Sequence, residues 1–401
     1  MTRRFSRTAK SLRTAARDSS RVGGLTHTYY RYPARLSPSF ARTAIQEFTN
    51  PGDWILDPFV GGGTTLVEAR SLGRSAIGVD NNELAVFVSK VKTTPLSDRQ
   101  LASALEIASG VVKVAKLSRL HQRPWSWIDN GYQRNLNSKT VWRLRKQIEI
   151  FVEELGKVQD ARVQSFLRCA LLGTAQWALD NRQSSPAVDE FRSRFSKTVV
   201  EMVGGMEDLI QSELSSVREY ELRERIRTRL IAERIEASVD NPAFADIPAP
   251  KLVLTSPPYP GVHVLYHRWQ IHGRKETPAP YWIANSQDGK GASHYTFGYR
   301  LEPGLNSYFS NLEGAFRSLV RIIDKNTVIV QVIAFSDASW QLPRYLETMK
   351  NVGLQEKKLS HKADLEDGRL WREVPSRKWY ALRGEKLASG RELVLFHILK
   401  G

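Results

Sequence analysis

Asp57-Pro58-Phe59-Val60-Gly61-Gly62-Gly63-Thr64-Thr65 stands between an apolar run, Trp54-Ile55-Leu56, and a helix-like stretch, Leu66 to Leu72. Strand, glycine-rich turn and helix in that order form the context of a nucleotide-type cofactor loop. Gly61 and Gly63 lack a Cβ and let the backbone approach a ligand closely. No Gly-Lys-Ser/Thr follows, and the spacing is not the dinucleotide fingerprint, so phosphate cradling is not the reading. Glycines opening a helix also serve packing alone; Asp57 beside them favours a site. The next element, Ser75-Ala-Ile-Gly-Val-Asp80, reads as a second strand ending in an acid. An acid at a strand tip roughly 20 residues past the glycine turn is placed to accept from two ribose hydroxyls. A solvated strand-end Asp is the plainer alternative.

Far downstream, Lys251-Leu252-Val253-Leu254 reads as another buried strand, and it leads into Thr255-Ser256-Pro257-Pro258-Tyr259. Two prolines end that strand abruptly, because neither donates to a ladder and each fixes its own φ. The result is a stiff loop at a strand's carboxyl end, where ligands bind in open α/β sheets. The Ser256 hydroxyl and nearby carbonyls are fixed acceptors, and Tyr259 adds a flat face. Those parts suit a planar group bearing an exocyclic amine; an ordinary Pro-rich turn would carry the same letters.

The 401 residues suffice for one large domain or two ordinary ones. With 41% hydrophobic residues a real core is expected, and no apolar run approaches the roughly 20 residues of a membrane span, so no membrane partner is expected. The net charge of +17 points to a polyanionic partner, most simply nucleic acid. Cys169 is the single cysteine, which excludes a disulfide framework and a cysteine zinc site and fits a reducing cytoplasm. His263 and His267 are four apart but have no evident further ligands, so no metal site is expected.

Residues 1–24 carry many Arg and Lys against the single acid Asp18. They read as a basic flexible arm or a solvated tail in preference to a transit peptide. A basic and aromatic stretch, His27 to Pro38, precedes a helix through Phe40, Ala44, Ile45 and Phe48. Residues 95–234 form a helical insertion, with apolar residues at helical spacing over 101–115, 141–155, 166–175 and 199–214. A charged, exposed helix is expected over 217–235. Within the insertion, Gln122, Arg123, Trp125, Trp127, Gln133, Arg134, Asn135, Lys139, Trp142, Arg143, Arg145 and Lys146 mix aromatic and polar groups suited to bases and phosphates. Core tryptophans with a solvated basic face account for the same letters. A strand is expected over 234–240, ending at Asp240, then a helix over 264–272 and a mobile loop over 273–306 hinged at Gly289-Lys290-Gly291. Further expectations are helices over 309–323 and 342–352, strands over 327–333 and 392–399, and a basic aromatic segment over 371–380. Strands alternating with helices argue for a doubly wound α/β sheet.

Together, the stretch from Asp57 to Thr65 and the stretch from Thr255 to Tyr259 resemble the amino-group DNA methyltransferases that use S-adenosylmethionine. Ser256-Pro-Pro-Tyr resembles the cytosine-N4 branch; the adenine-N6 branch usually carries Asp or Asn where Ser256 stands. Tyr32-Pro33-Ala34-Arg35 resembles the motif that precedes the family's glycine loop. The resemblance covers about 25–92 and 234–400. It implies a Rossmann-like methyltransferase sheet, with 25–94 and 235–401 as catalytic domain and 95–234 as candidate DNA-recognition region. By position, Asp57, Phe59, Gly61 and Gly63 would line the methionine side of the cofactor, with Thr64 and Thr255 adjoining it. Asp80 would bind the ribose and Asp240 the adenine amine. Thr64 and Thr65 would cap the first helix. The long insertion ahead of the catalytic loop departs from the commoner cytosine-N4 order, and leaves 95–234 and 273–306 both open as recognition regions.

The reaction that the resemblance implies is methyl transfer to N4 of a cytosine flipped from double-stranded DNA. Ser256 and the Pro257 carbonyl would accept from the amine, Pro258 would stiffen the loop, and Tyr259 would stack on the base. Restriction–modification or host defence, a cognate restriction endonuclease as partner, and a bacterial, nucleoid-associated, cytoplasmic location follow at family level. The rivals are an adenine-N6 DNA or RNA amine methyltransferase, a protein amine methyltransferase on the same fold, and a noncatalytic DNA-binding subunit on the same scaffold.

Overall fold

The structure, a computed structural model, describes residues 2–18, 20, 22–33, 35–115, 130–217, 220–261, 268–273, 275–289, 292–298, 304–358, 368–373 and 391–400. Gln122 to Trp127, His263, His267, Lys290, Gly291 and 374–380 lie outside them, so the expectations placed there go undescribed.

The centre is an eight-stranded sheet. Its strands are β1 (Trp54–Asp57), β2 (Ser75–Val79), β3 (Thr228–Ile231), β4 (Leu252–Thr255), β7 (Val328–Ile333), β8 (Leu354–Glu356), β9 (Leu370–Glu373) and β10 (Arg391–Leu399). Their order is β3-β2-β1-β4-β7-β10-β8, with β9 on β10. The first five are parallel, and β10 runs antiparallel to β7, β8 and β9. From β1 the chain builds outward to β2 and β3, then crosses back to lay β4 on the other side of β1. That reversal opens a crevice at the carboxyl ends of β1 and β4. The doubly wound α/β expectation holds.

Strand alternation divides the core. Ile55, Leu254, Val330, Val332 and Phe396 face the helices 2–17, 38–48 and 64–71. Leu56, Val253, Ile329, Ile333 and Leu395 face the helices 304–319 and 338–351. A third core joins the helices 98–114, 142–156, 161–179 and 188–216 to Tyr29, Tyr30, Tyr32, the helix 83–93 and the helix 279–284. The insertion therefore shares its core with elements flanking the sheet. Its helices start at strong caps: Ser97 and Gln100 form a capping box, and Asp160 accepts from two amides.

Several expectations are corrected. Residues 2–17 form a helix where a flexible arm was expected, because Ala9, Leu12 and Ala16 fall on one face and bury against the helix 38–48. No long helix covers 217–235. The helix 188–216 ends at Val217, a short helix spans 220–225, and β3 follows as an edge strand. Charged residues suit an edge: Arg229 lies over Trp54 and pairs with Asp246. The insertion thus ends before 228. The strand expected over 234–240 is a helical turn, Ile235–Ser238. Within 264–272, residues 269–271 are β5, which pairs with β6 (Lys275–Thr277) in a hairpin. Much of 273–306 is packed: the helix Ala279–Ala284 is wholly buried, filled by Tyr281, Trp282 and Ile283. Its aromatic letters serve a core.

Candidate active site

β1 and β4 end side by side, and their last residues are bonded. Thr255 Oγ1 donates to Asp57 Oδ1 at 2.6 Å, both groups buried. Above that bond lies a cleft enclosing about 740 Å³, out to open solvent. Of the residues expected in the site, Asp57, Phe59, Gly61, Thr64, Asp80, Ser256, Pro257, Pro258 and Tyr259 line it. Residues about 200 positions apart are thus brought together by one sheet reversal. Gly63 and Thr255 stand behind the wall. Asp240 is not brought there: it is exposed, paired with Arg321 at 3.2 Å. β3 ends at Ile231, well before Asp240, and Glu233 and Arg234 line a smaller cleft beside Phe59, Asp80 and Phe297.

On one wall the glycine loop turns with positive φ at Gly61 and Gly63. What approaches these glycines is protein. A Cβ at Gly62 would stand 2.8 Å from Tyr32 Cβ, and one at Gly63 would stand 2.7 Å from Ser89 Oγ. The helix 64–71 is capped by Gly63 with no side-chain bond; Thr65 donates instead to the Leu254 carbonyl, tying β1's helix to β4. The expected threonine caps are absent because both side chains turn inward and are buried.

Asp80 Oδ2 accepts from the Gly61 amide at 2.8 Å and Oδ1 from the Asn82 amide at 2.9 Å. Burial nevertheless raises Asp80 to about 6, against those bonds and with a smaller push from Asp57. Burial likewise raises Asp57 to about 6, opposed by the bonds from the Thr255 hydroxyl and the Phe59 amide. Two carboxyls in an enclosed cleft disfavour a phosphate and favour a cation with hydroxyls to donate. Tyr32, Phe59, Tyr259 and Tyr295 supply rings around them, and ring faces also attract a cation. The donor set therefore fits a cationic cofactor bearing a ribose.

Some supporting residues escaped the sequence reading. Asn82 caps the helix 83–93, accepts from Tyr281 Oη and donates to Tyr32 Oη, each at 3.0 Å. Lys92 is fully buried, and its Nζ donates to the Gly62 carbonyl at 2.8 Å; burial pushes its pKa down to about 7. Its signal was a lysine on the apolar stripe Ala85, Val88, Ser89, Lys92. His27 meets Glu68 at 2.7 Å and Arg42 pairs with Glu68 at 2.8 Å, which anchors the segment carrying Tyr32 and Arg35. From the stretch 292–298, Tyr295 closes the cleft and Phe297 packs edge-on against Phe59.

The opposite wall is the loop Ser256-Pro257-Pro258-Tyr259. Ser256 Oγ lies 3.0 Å from Tyr259 Oη and donates to the Val332 carbonyl at 2.9 Å. Tyr259 donates to Glu392 Oε1 at 2.9 Å, and Glu392 Oε2 pairs with Arg372 Nε at 3.2 Å. Tyr308 donates to the Pro258 carbonyl at 2.7 Å. In the insertion, Arg145 and Lys146 are taken up by Glu149, and Asn135 by the Glu276 carbonyl, while Trp142 stays partly exposed under Arg143. Among the described residues no helix is long and apolar enough to cross a membrane.

A family model described as DNA methylase matches residues 7–90. The chain is 39% identical over 84 residues to the Type II methyltransferase M.MvaI of Kocuria varians, covering 20% of this chain and 18% of that one. It is 30% identical over 79 residues to M.MjaII of Methanocaldococcus jannaschii, covering 20% and 15%. It is 44% identical over 55 residues to M.BsoBI of Geobacillus stearothermophilus, covering 14% and 11%. The chain thus matches less than a fifth of the length of these relatives. Among solved structures, an rRNA methyltransferase from Streptomyces viridochromogenes aligns over 92% of this chain and 89% of its own at 14% identity, with a TM-score of 0.30.

Proposed function

We propose that this chain is an S-adenosylmethionine-dependent DNA methyltransferase that modifies an exocyclic amine, and that its target is N4 of cytosine. One observation carries the reading: the glycine loop, the strand-end acid Asp80 and the Ser-Pro-Pro-Tyr loop, scattered in sequence, line one cleft. The match to a DNA methylase family model and the Type II methyltransferase relatives support DNA as substrate. The net charge of +17 supports it independently. Ser256 is the ground for cytosine.

When bound, S-adenosylmethionine supplies an electrophilic methyl group on a sulfonium. Asp80 would accept from the ribose hydroxyls, and Asp57 would add negative charge beside the sulfonium. The rest of the work falls to the loop after β4. An exocyclic amine shares its lone pair with the ring and is a poor nucleophile. Hydrogen bonds accepted from it by Ser256 Oγ and the Pro257 carbonyl favour a pyramidal nitrogen with a freer lone pair. Positive charge then grows on the nitrogen toward acceptors already in place. The Tyr259 ring lies in the cleft wall and would stack on a flipped base.

The test incubates the purified chain with labelled cofactor and DNA, followed by nucleoside analysis. N4-methylcytosine is the expected product. N6-methyladenine would move the chain to the other branch, and no label on any DNA would sink the proposal.

A further inference from the structure

Methylation of a neutral amine leaves a cationic nitrogen that must shed a proton, and the chain Ser256–Tyr259–Glu392 offers a route. We infer that Glu392 is the terminal acceptor of that proton, reached through the Ser256 and Tyr259 hydroxyls. The inference rests on the reading of Ser256 given above.

The direction of the chain follows from its far end. Glu392 lies on β10, is buried with 4% side-chain exposure, and pairs with Arg372 on β9, which is 8% exposed. An ionised carboxylate only accepts, so Tyr259 must donate to it. The Val332 carbonyl also only accepts. Ser256 therefore has two acceptor neighbours, Val332 O at 2.9 Å and Tyr259 Oη at 3.0 Å, and its proton goes to one of them. Either way the hydroxyl turns a lone pair to the cleft. An amine can donate to that lone pair; a ring carbonyl cannot.

The proton count closes. The carbon–sulfur bond breaks as the nitrogen–carbon bond forms. The nitrogen then loses a proton to Ser256 Oγ; the Ser256 hydroxyl turns from the Val332 carbonyl to Tyr259 and passes its own proton to Tyr259 Oη, and Tyr259 passes its own to Glu392 Oε1. Glu392 ends neutral beside the Arg372 guanidinium and returns the proton between turnovers through the same hydroxyls to the open cleft. A carboxylate suffices as acceptor, because a protonated alkylated amine conjugated to its ring is a strong acid. Arg372 orients any amide replacement at Glu392: a Gln would turn its oxygen to the guanidinium and its NH₂ to Tyr259. That substitution reverses the relay while conserving shape.

The test measures single-turnover methyl transfer and cofactor dissociation constants for the wild type, Glu392→Gln, Tyr259→Phe and the double variant. Each single variant is expected to slow transfer at least tenfold with cofactor affinity unchanged, and the double variant to be no slower than the slower single. Wild-type rates in either single variant, or losses that multiply in the double, would overturn the relay. Tyr259→Phe leaves the buried ion pair intact, so it decides the matter even if Glu392→Gln fails to fold. A wild type that methylates no nucleobase would overturn the function itself, whereas an active wild type with indifferent variants overturns the relay alone.

Discussion

The two walls of the cleft are built differently. The wall carrying Asp57 and Asp80 is assembled from neighbours in the chain: a turn of three glycines, a helix start, and the next strand's tip, all within 57–82. Its distant supports are the segment around Tyr32, laid over the glycines, the Thr255 hydroxyl on Asp57 and the Tyr281 hydroxyl on Asn82. The wall carrying Ser256 and Tyr259 is short, and its hydrogen bonds reach Val332, Glu392 and Tyr308, some 50 to 130 residues away. A local wall suits a ligand held through backbone and fixed carboxylates. A wall braced from three other elements holds its hydroxyls and carbonyls in fixed directions.

That contrast breaks most sharply under paired substitutions. Ser256→Ala is expected to lower the transfer rate by about 10²–10³-fold while leaving cofactor affinity unchanged, measured by single turnover and calorimetry. Asp80→Ala should do the reverse. Losing charge-assisted bonds to ribose would cost about 1.5–3 kcal/mol, roughly 10–100-fold in the cofactor's Kd. Equal losses of both quantities in both variants would erase the division of labour between the walls.

Gly62→Ala tests what the glycines are for. Its Cβ would stand 2.8 Å from Tyr32 Cβ, so an unfolding free energy lowered by about 1–3 kcal/mol is expected from denaturant titration. In a Tyr32→Gly background, which lacks that Cβ, Gly62→Ala should cost less. If Gly62→Ala is as stable as wild type and only cofactor binding suffers, the glycines serve the ligand alone.

The smallest effect is in pH. Asp57 and Asp80 stand at about 6, above the ordinary 3.8, so the ligand-free fold binds protons more tightly than the unfolded chain. Their contribution to its stability is full below 3.8 and declines as pH rises to about 6. A cationic cofactor prefers both groups ionised, so its affinity should fall as pH drops below about 6. Calorimetry across that range would show it, and Asp80→Asn should flatten the profile. A flat wild-type profile would remove both carboxyls from the cofactor's surroundings.

The site was legible where function lies in a contiguous string. Asp57-Pro-Phe-Val-Gly-Gly-Gly and Ser-Pro-Pro-Tyr each announce a strand end and a turn, since glycine and proline constrain the backbone locally. Reading failed where the same letters serve two ends. The charged run over 217–235 satisfied a helix pattern, yet β3 takes its place because β2 offers an open edge to pair with. Asp240 matched a strand-end acid, but the strand lies earlier and leaves it on the surface. The aromatic stretch 279–284 looked like a loop until a core of insertion helices enclosed it. Glu392 had no local signal at all.

By itself, then, the sequence determined the strand-turn-helix units, the two motif loops and the absence of a cysteine nucleophile motif, because these depend on bonds and φ angles within a few residues. Only the tertiary structure decided that β4 lies against β1, which acid stays in the cleft, and which hydroxyl donates to which acceptor. Those outcomes depend on strand order and on burial. Both are properties of residues far apart in the chain, and no local pattern encodes them.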